Sequence, residues 1–442
     1  QRDMARANAK FKMTAGLEYE GADTVFTGYD HVSENACKVL AVYLDGEAVE
    51  ELPAGEDGVV VLDTTPFYAE SGGQVGDTGV MKNDTTVARV LDTQKIKAKV
   101  FGHQVHVEEG AVRVGDILST KIDEQRREMT RLNHSAAHLM QSALRKVLGD
   151  HVLQRGSWVG PDVCHFDFTH GEAMTVEQIH EVEDLVNQEI LANTEVTTQV
   201  LPIDEAKKSG ALMLFGEKYG ETVRVLTIGS SIEFCGGTHV ARTGDIGSFK
   251  ILSEGGIAAG IRRIEMTTGL NVVALTRKQE VTIKEAARVL KSPVDLVVNK
   301  AETVFETVKS LEKQITQLKA KLASAAANEL VNSAKDMDGY KLVVSRAEAD
   351  AKSLRGMAET LRDKLGTSVV VLACENDGKV QVVAAVSKSL ISRMKAGEIV
   401  AQVANVLGGK GGGKPELAMA GASDATHLAE ALAGVEAFLQ GK

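Results

Sequence analysis

Residues 123–149 read DEQRREMTRLNHSAAHLMQSALRKVLG. Asp123 is of the type that caps helix N-termini and Gly149 of the type that ends helices, so the stretch predicts one helix of about seven turns. Apolar residues share one face, at Leu132, Ala136, Leu139, Ala143 and Val147. A second stripe, roughly half a turn away, carries Arg127, Arg131, His134, His138 and Arg145. The pattern predicts a helix that buries its apolar face and presents two imidazoles one turn apart.

A second motif, CGGTH at residues 235–239, supplies a thiol and another imidazole. Two histidines at i and i+4 point the same way, and the glycines of CGGTH let a short loop present both of its end residues together. Three imidazoles and a thiolate suit tetrahedral zinc, whereas copper and iron fit this set less well. We therefore predict a zinc site formed by His134, His138, Cys235 and His239. The alternative is that these are unrelated core residues.

A metal that takes four protein ligands is ordinarily structural, and catalysis requires an open position. The helix also lacks the glutamate of an HExxH metalloprotease, so peptide hydrolysis is disfavoured. An activated ester has a better leaving group than an amide. Ester hydrolysis is therefore the natural reaction class for a catalytic site here.

The chain surrounding these motifs predicts an α+β multidomain protein with four parts. Residues 1–118 comprise a helix-like run followed by a β-barrel or meander, in which the glycine-rich stretch 67–79 is either a hairpin corner or a place of close approach to a ligand. Residues 119–270 alternate helix and strand, and contain both metal motifs. The other two parts are helical (271–335) and α/β (336–442).

Apolar residues between positions 294 and 325 follow a heptad spacing, which predicts a long helix with a coiled-coil seam. The seam pairs either with the preceding helix as a hairpin or with a second chain, and we favour a homodimer. Near the end, residues 408–414 read GGKGGGK. Backbone amides with Lys410 and Lys414 suit a phosphate backbone, and the alternative is a flexible loop.

Composition limits the class of protein. The 442 residues carry a net charge of −11, which predicts no nucleic-acid partner from bulk charge and leaves only local basic patches. No apolar stretch is long enough for a membrane span. Four separated cysteines and no signal peptide predict a cytoplasmic protein without disulfides. The chain opens within a helix-like run without an initiating Met, so we expect it to be part of something longer.

Five motifs together resemble the carboxy-terminal half of the bacterial alanyl-tRNA synthetase family. They are SGGQVGDTG at 71–79, HSAAH at 134–138, QRGSW at 154–158 with FDF at 166–168, CGGTH at 235–239, and GGKGGGK at 408–414. The resemblance implies a small β-barrel, an editing domain, and a carboxy-terminal domain that binds tRNA(Ala) and dimerises in some members. It also implies hydrolysis of mischarged Ser-tRNA(Ala) and Gly-tRNA(Ala).

By this resemblance, His134, His138, Cys235 and His239 hold zinc, while Gln154 and the loop of Gly72, Gly73 and Gln74 form the wall of the catalytic pocket. Our own inference assigns Arg127 and Arg131 to the phosphates of the acceptor end. No ATP-binding signature motif is present, so alanine ligation with ATP is expected of the full-length protein and not of this chain alone. The competing hypothesis is a non-catalytic tRNA-docking and dimerisation module with a purely structural zinc. No DNA or membrane partner is expected.

Overall fold

The computed structural model describes residues 16–213, 220–376 and 378–442. The chain divides into two compact units, Gln1–Thr282 and Ile283–Lys442. The helix-like run expected at the start of the chain lies outside the described residues. Among the helices that are described, none is both long and apolar enough to cross a membrane.

The first unit begins with a closed β-barrel. Its six strands lie in the order β11-β7-β8-β9-β5-β2, and closure follows because β11 pairs with both β7 and β2. The strands of this region are β1 (Val25–Phe26), β2 (Ser33–Leu44), β3 (Glu47–Val49), β4 (Glu51–Pro53), β5 (Asp57–Leu62), β6 (Thr64–Thr65), β7 (Gly79–Lys82), β8 (Val87–Lys97), β9 (Val100–Glu109), β10 (Ala111–Arg113) and β11 (Ile117–Ile122). The predicted small barrel is confirmed.

The rest of this unit packs two helices against an antiparallel sheet ordered β12-β13-β18-β17, beside a three-stranded sheet β14-β15-β16. Its elements are α1 (Glu124–Leu148), β12 (Gln154–Val159), β13 (Cys164–Thr169), α2 (Val176–Ala192), β14 (Thr197–Pro202), α3 (Ile203–Ala206), β15 (Thr222–Ile228), β16 (Ser231–Phe234), β17 (Phe249–Ala258) and β18 (Ile261–Thr268). The predicted apolar stripe of α1 packs into this core. Asp123 accepts a hydrogen bond from the Arg126 backbone N–H at 3.0 Å, which confirms the predicted N-cap.

A buried ion pair joins α1 to the barrel region. Arg127 is 4% exposed, and its guanidinium pairs with the Asp77 carboxylate, with Nε 3.0 Å from Oδ1. It also donates to the carbonyl oxygens of Gly28, at 2.6 Å, and Pro66, at 2.9 Å. This position overturns our assignment of Arg127 to the acceptor-end phosphates, because RNA has no access to a buried guanidinium whose N–H groups are already paired.

The second unit is built on a mixed sheet ordered β19-β20-β21-β22-β24-β23, in which β20 and β21 run parallel. One face packs against α6 and the end of α5, and the other against α7 and α8. The helix α4 (Gly269–Leu290) includes the boundary between the two units. The remaining elements are α5 (Val297–Val331), β19 (Lys335–Met337), β20 (Tyr340–Arg346), α6 (Ala351–Leu365), β21 (Ser368–Asn376), β22 (Lys379–Val386), α7 (Ala396–Val406), β23 (Lys410–Lys414), β24 (Leu417–Ala422) and α8 (Leu428–Gln440). The predicted α+β multidomain class is confirmed.

Two features of this unit bear on the sequence predictions. The apolar seam of α5 is exposed along its length, from Val304 at 41% to Leu322 at 70%. The last five residues of the run GGKGGGK, Lys410–Lys414, form the edge strand β23 rather than a loop. Close pairing explains its glycines, because a Cβ at Gly411 would lie 2.2 Å from the Cβ of Ala420 in β24.

The barrel core contains one buried imidazole. His103 in β9 is fully buried, with Nδ1 donating to the Val60 carbonyl oxygen at 2.8 Å and Nε2 accepting from the Thr65 hydroxyl at 2.8 Å. Burial lowers the pKa of His103 from 6.5 to about 4. The ring is therefore a neutral, satisfied core group.

This buried imidazole predicts acid-sensitive stability. The unfolded chain binds the His103 proton more tightly than the folded chain does. The contribution of neutral His103 to the free energy of unfolding is therefore complete above the ordinary pKa, and it is lost as the pH falls from 6.5 toward 4. At pH 5 the loss is about 2 kcal/mol. Urea unfolding at pH 7.5 and pH 5 measures it. His103→Gln flattens this dependence, whereas the exposed control His31→Gln keeps it; equal slopes in the two variants would contradict the assignment.

Candidate metal centre and adjoining cavity

All four side chains supplied by the two motifs meet at one place. His134 and His138 project from α1, and Cys235 and His239 lie on the loop after β16. One ligand atom from each residue lies within 4.8 Å of the other three. The Cys235 Sγ is 3.2 Å from Nε2 of His239 and 3.6 Å from Nε2 of His134. Such a cluster of donors could hold a metal ion.

Each imidazole is oriented by a partner on its other nitrogen. Nδ1 lies 2.8 Å from Gln74 Oε1 in His134, 2.8 Å from Glu233 Oε2 in His138, and 3.3 Å from Ser135 Oγ in His239. The Nε2 atoms are therefore left for the centre of the cluster. Nε2 of His138 is buried without a hydrogen-bond partner. An oriented ring with an orphaned inner nitrogen is the arrangement expected of a metal ligand.

The electrostatics of the cluster favour a thiolate. Burial raises the pKa of the Cys235 thiol, but the imidazoles of His134, His239 and His138 outweigh burial and hold that pKa well below its usual value. Burial lowers the pKa of His239 to about 3, so this ring is neutral. A thiolate and a neutral imidazole are the forms that bind metals.

His138 differs from His239 because of a carboxylate. Burial lowers the pKa of His138, but Glu233 and the Cys235 thiolate overcome burial and raise it well above 6.5. Glu233 is itself 3% exposed and accepts a hydrogen bond from the Ser231 hydroxyl at 2.6 Å. The half-buried Cys235 thiolate and the buried Glu233 carboxylate thus both act on His138. A cation at the centre would supply the positive charge that the His138 proton otherwise provides.

The CGGTH loop is held through its backbone. Gln74 accepts from the Thr238 backbone N–H at 2.9 Å and donates to the Thr238 hydroxyl at 2.8 Å. Three further side chains donate to carbonyl oxygens of this loop: Tyr29 to Gly236 at 2.6 Å, Arg224 to Gly237 at 2.7 Å, and Arg131 to His239 at 2.6 and 2.8 Å. Arg131 thus has a structural partner here, and its contact with RNA stays a prediction.

A cavity of about 230 Å³ opens beside the cluster. His134, His138 and Cys235 line it together with Gly72 and Gln154, and the catalytic role that the family resemblance implies for these two residues stays a prediction. Gln154 is oriented by its amide N–H, which donates to the Ser157 hydroxyl at 3.2 Å.

The other two residues of the expected pocket loop lie behind the wall. Gln74 is 0% exposed, and its oxygen is shared between His134 and Thr238. Gly73 packs so closely on β12 that a Cβ would meet the Ser157 hydroxyl at 2.2 Å. These residues support the site rather than line its cavity.

Sequence reasoning missed the residues that orient the ligands. Glu233 and Ser135 gave a weak signal, since each lies one or two positions from a ligand. Tyr29 is far from the cluster in sequence, and no local pattern connects it to Gly236. The cavity residue Gln141 was also missed, although its spacing of three from His138 placed it on the ligand face of α1.

Comparisons with known families agree with the motifs. Three family models match: tRNA synthetases class II (A) over residues 1–126, the threonyl and alanyl tRNA synthetase second additional domain over 223–265, and the DHHA1 domain over 339–441. A solved structure described as the C-Ala domain from Aquifex aeolicus alanyl-tRNA synthetase is 28% identical, covering 24% of this chain and 96% of its own, with a TM-score of 0.23.

Curated relatives match almost the whole chain. Alanine–tRNA ligases from Delftia acidovorans and Methylibium petroleiphilum are each 52% identical over 440 residues, which is 99% of this chain and 50% of either relative. The chain thus spans about half the length of the curated relatives it matches. From the synthetase family models and this identity, we conclude that the chain belongs to the alanyl-tRNA synthetase family.

Proposed function

We propose that the first unit hydrolyses the ester bond of Ser-tRNA(Ala) and Gly-tRNA(Ala). The observation that carries this proposal is the cavity beside the cluster, which exposes His134, His138 and Cys235 to a ligand of small size. Such hydrolysis is needed because a pocket that selects alanine has limited selectivity. A pocket for a methyl side chain cannot exclude glycine and rejects an added hydroxyl weakly, by about 10- to 200-fold.

We propose Zn²⁺ as the ion of the cluster, held by His134, His138, Cys235 and His239. The donor set of one thiolate and three imidazoles and the orphaned Nε2 of His138 both fit this ion. When bound, zinc supplies a Lewis acid that can polarise a carbonyl oxygen, and it also fixes α1 to the CGGTH loop. The chain's own groups orient the four donors and enclose the cavity.

Gln154 binds the amino group shared by all aminoacyl esters. Its amide N–H is engaged with Ser157, so its carbonyl oxygen is left to accept from a substrate ammonium. Gly72 has a φ of +58° and leaves open space where a side chain would stand. The ester thus enters the cavity beside Gly72, where the wall is formed by backbone atoms.

The second unit binds tRNA(Ala) in this proposal. Lys410 and Lys414 stand exposed at the two ends of the edge strand β23, where the strand's outer side is unpaired among described residues. Phosphate contacts by such lysines add affinity without base recognition. The match to the DHHA1 domain covers this strand.

The exposed seam of α5 forms a homodimer contact. Its apolar residues keep the heptad spacing and lie about half exposed, as with Leu311 at 50% and Ile315 at 53%. A second copy of the same helix offers a complementary face.

The relatives are named alanine–tRNA ligases and are about twice as long. We propose that a full-length protein containing these residues attaches alanine to tRNA(Ala) with ATP, and that the present chain contributes editing and tRNA binding. The competing function, tRNA docking around a purely structural zinc, is favoured by the saturated set of four donors.

A pair of glycine substitutions tests the metal site. A Cβ at Gly237 would lie 2.1 Å from Cε1 of His134, whereas a Cβ at Gly236 has its nearest neighbour at 4.0 Å. Gly237→Ala must therefore displace a ligand ring. We expect its zinc affinity to fall at least about tenfold, while Gly236→Ala keeps the original value. Competition with a chromogenic chelator measures both, and equal affinities would count against the ligand assignment.

Hydrolysis is tested with three esters on the same tRNA. We expect fast release of serine from Ser-tRNA(Ala) and of glycine from Gly-tRNA(Ala), with Ala-tRNA(Ala) spared. Cys235→Ala removes the thiolate and should lower both rates by more than about tenfold, while Cys164→Ala, a buried thiol of β13, should not. Equal loss of all three esters would reject editing. If Ser-tRNA(Ala) is still hydrolysed after the zinc is lost, the zinc has a structural role and not a catalytic one.

Two double variants of the second unit test its surfaces, each serving as the control for the other. Leu311→Glu with Ile315→Glu places charge in the seam and should halve the sedimenting mass. Lys410→Ala with Lys414→Ala should leave the sedimenting mass unchanged and weaken tRNA binding. The slope of log affinity against log salt concentration should also decrease in magnitude, by about 0.9 for each phosphate that the lysines no longer neutralise. A wild type that sediments as a monomer would reject the dimer.

A further inference from the structure

Gln141 lies on the ligand face of α1, one turn beyond His138. The three-residue spacing corresponds to about 4.5 Å along the helix axis. Gln141 is 5% exposed and lines the same cavity as His138 and Cys235. Its amide is therefore enclosed by protein and faces the space beside the cluster.

The Gln141 amide has no hydrogen-bond partner among the described residues, unlike the amide of Gln154 and the hydroxyl of Tyr68, which line the same cavity. Gln154 donates to Ser157, and the Tyr68 hydroxyl donates to the Ser71 carbonyl oxygen at 3.1 Å. The Gln141 side chain is buried, so its amide reaches only the cavity and must find its hydrogen-bond partner there. An unpaired group that faces a cavity is explained when a ligand supplies the partner.

We propose that Gln141 binds the side-chain hydroxyl of the seryl group, an inference that rests on the proposed ester hydrolysis. When the ester carbonyl lies beside His138, the serine hydroxyl is three bonds from the carbonyl carbon. The length of this part of the substrate is comparable to the distance along the helix from His138 to Gln141. The amide offers both a donor and an acceptor, as a hydroxyl requires. Gln141 is thus a specificity residue rather than a member of the metal centre.

The same interaction explains how one cavity takes serine and glycine but spares alanine. A glycyl group leaves room for a water molecule that satisfies the amide. The methyl of an alanyl group covers the amide and offers it no partner, so binding alanine leaves a buried polar group unpaired. Selection therefore arises from a penalty on the methyl as well as from attraction to the hydroxyl.

The test compares kcat/KM for seryl, glycyl and alanyl esters of one tRNA. In Gln141→Leu and Gln141→Met we expect the seryl value to fall about tenfold, the glycyl value to stay within about twofold, and the ratio of seryl to alanyl hydrolysis to fall. Ratios taken from one preparation do not depend on the fraction that is folded. The matched control is Gln188→Leu, an exposed glutamine of α2 that does not line the cavity.

The outcomes separate this inference from the function on which it rests. If the seryl and glycyl values fall equally, Gln141 contacts the terminal adenosine or another shared group, and the inference is wrong. Unchanged ratios in both variants also overturn it, with the proposed function intact. A wild type that hydrolyses none of the esters rejects the proposed function itself.

Discussion

The pairing of Arg127 with Asp77 fixes the relation between the barrel and the helix that carries the site. A buried guanidinium and a buried carboxylate are each unfavourable alone, so this pairing allows little freedom in how α1 lies against residues 71–79. Three residues before Asp77, Gln74 reaches His134, two helical turns beyond Arg127. The two interactions join the same two segments at separate points, so they set both the position and the direction of α1. One ligand ring is thereby oriented from outside its own helix.

A second constraint follows from charge. The half-buried Cys235 thiolate and the buried Glu233 carboxylate both lie beside His138. Two negative groups in so small a volume need a positive charge between them, which is either the His138 proton or a cation at the centre. A cation at the centre would thus form one electrostatic unit with the hydrogen-bonded groups around it. The loop that carries Cys235 stays in place because side-chain donors hold its backbone carbonyl oxygens at Gly236, Gly237 and His239.

Sequence patterns identified what depends on local chemistry. Asp123 and Gly149 predicted the bounds of α1, and the two motifs named the four side chains that meet in the cluster. The roles of other side chains depend on which neighbouring element packs against their face of the helix. The periodicity of the sequence does not contain this information. Arg127 and His134 share a stripe and are both buried, but Arg127 pairs with Asp77 whereas His134 lines the cavity. The glycines of β23 left a phosphate-binding backbone and a flexible loop as alternatives, and neither predicted a strand. A short edge strand packed closely on its neighbour needs the same small residues.

A single helix carries both the metal ligands and the group that faces the cavity one turn further on. The spacing of His134, His138 and Gln141 is set by the helix backbone, whose rise per residue varies little. A distance between a reacting centre and a selecting group is held more narrowly by one rigid element than by two loops. A serine and an alanine differ by one hydroxyl, and an error of one ångström in that distance would remove the hydrogen bond that separates them. The placement on α1 therefore makes discrimination a property of helix geometry, whereas the loops around the cavity only complete the wall.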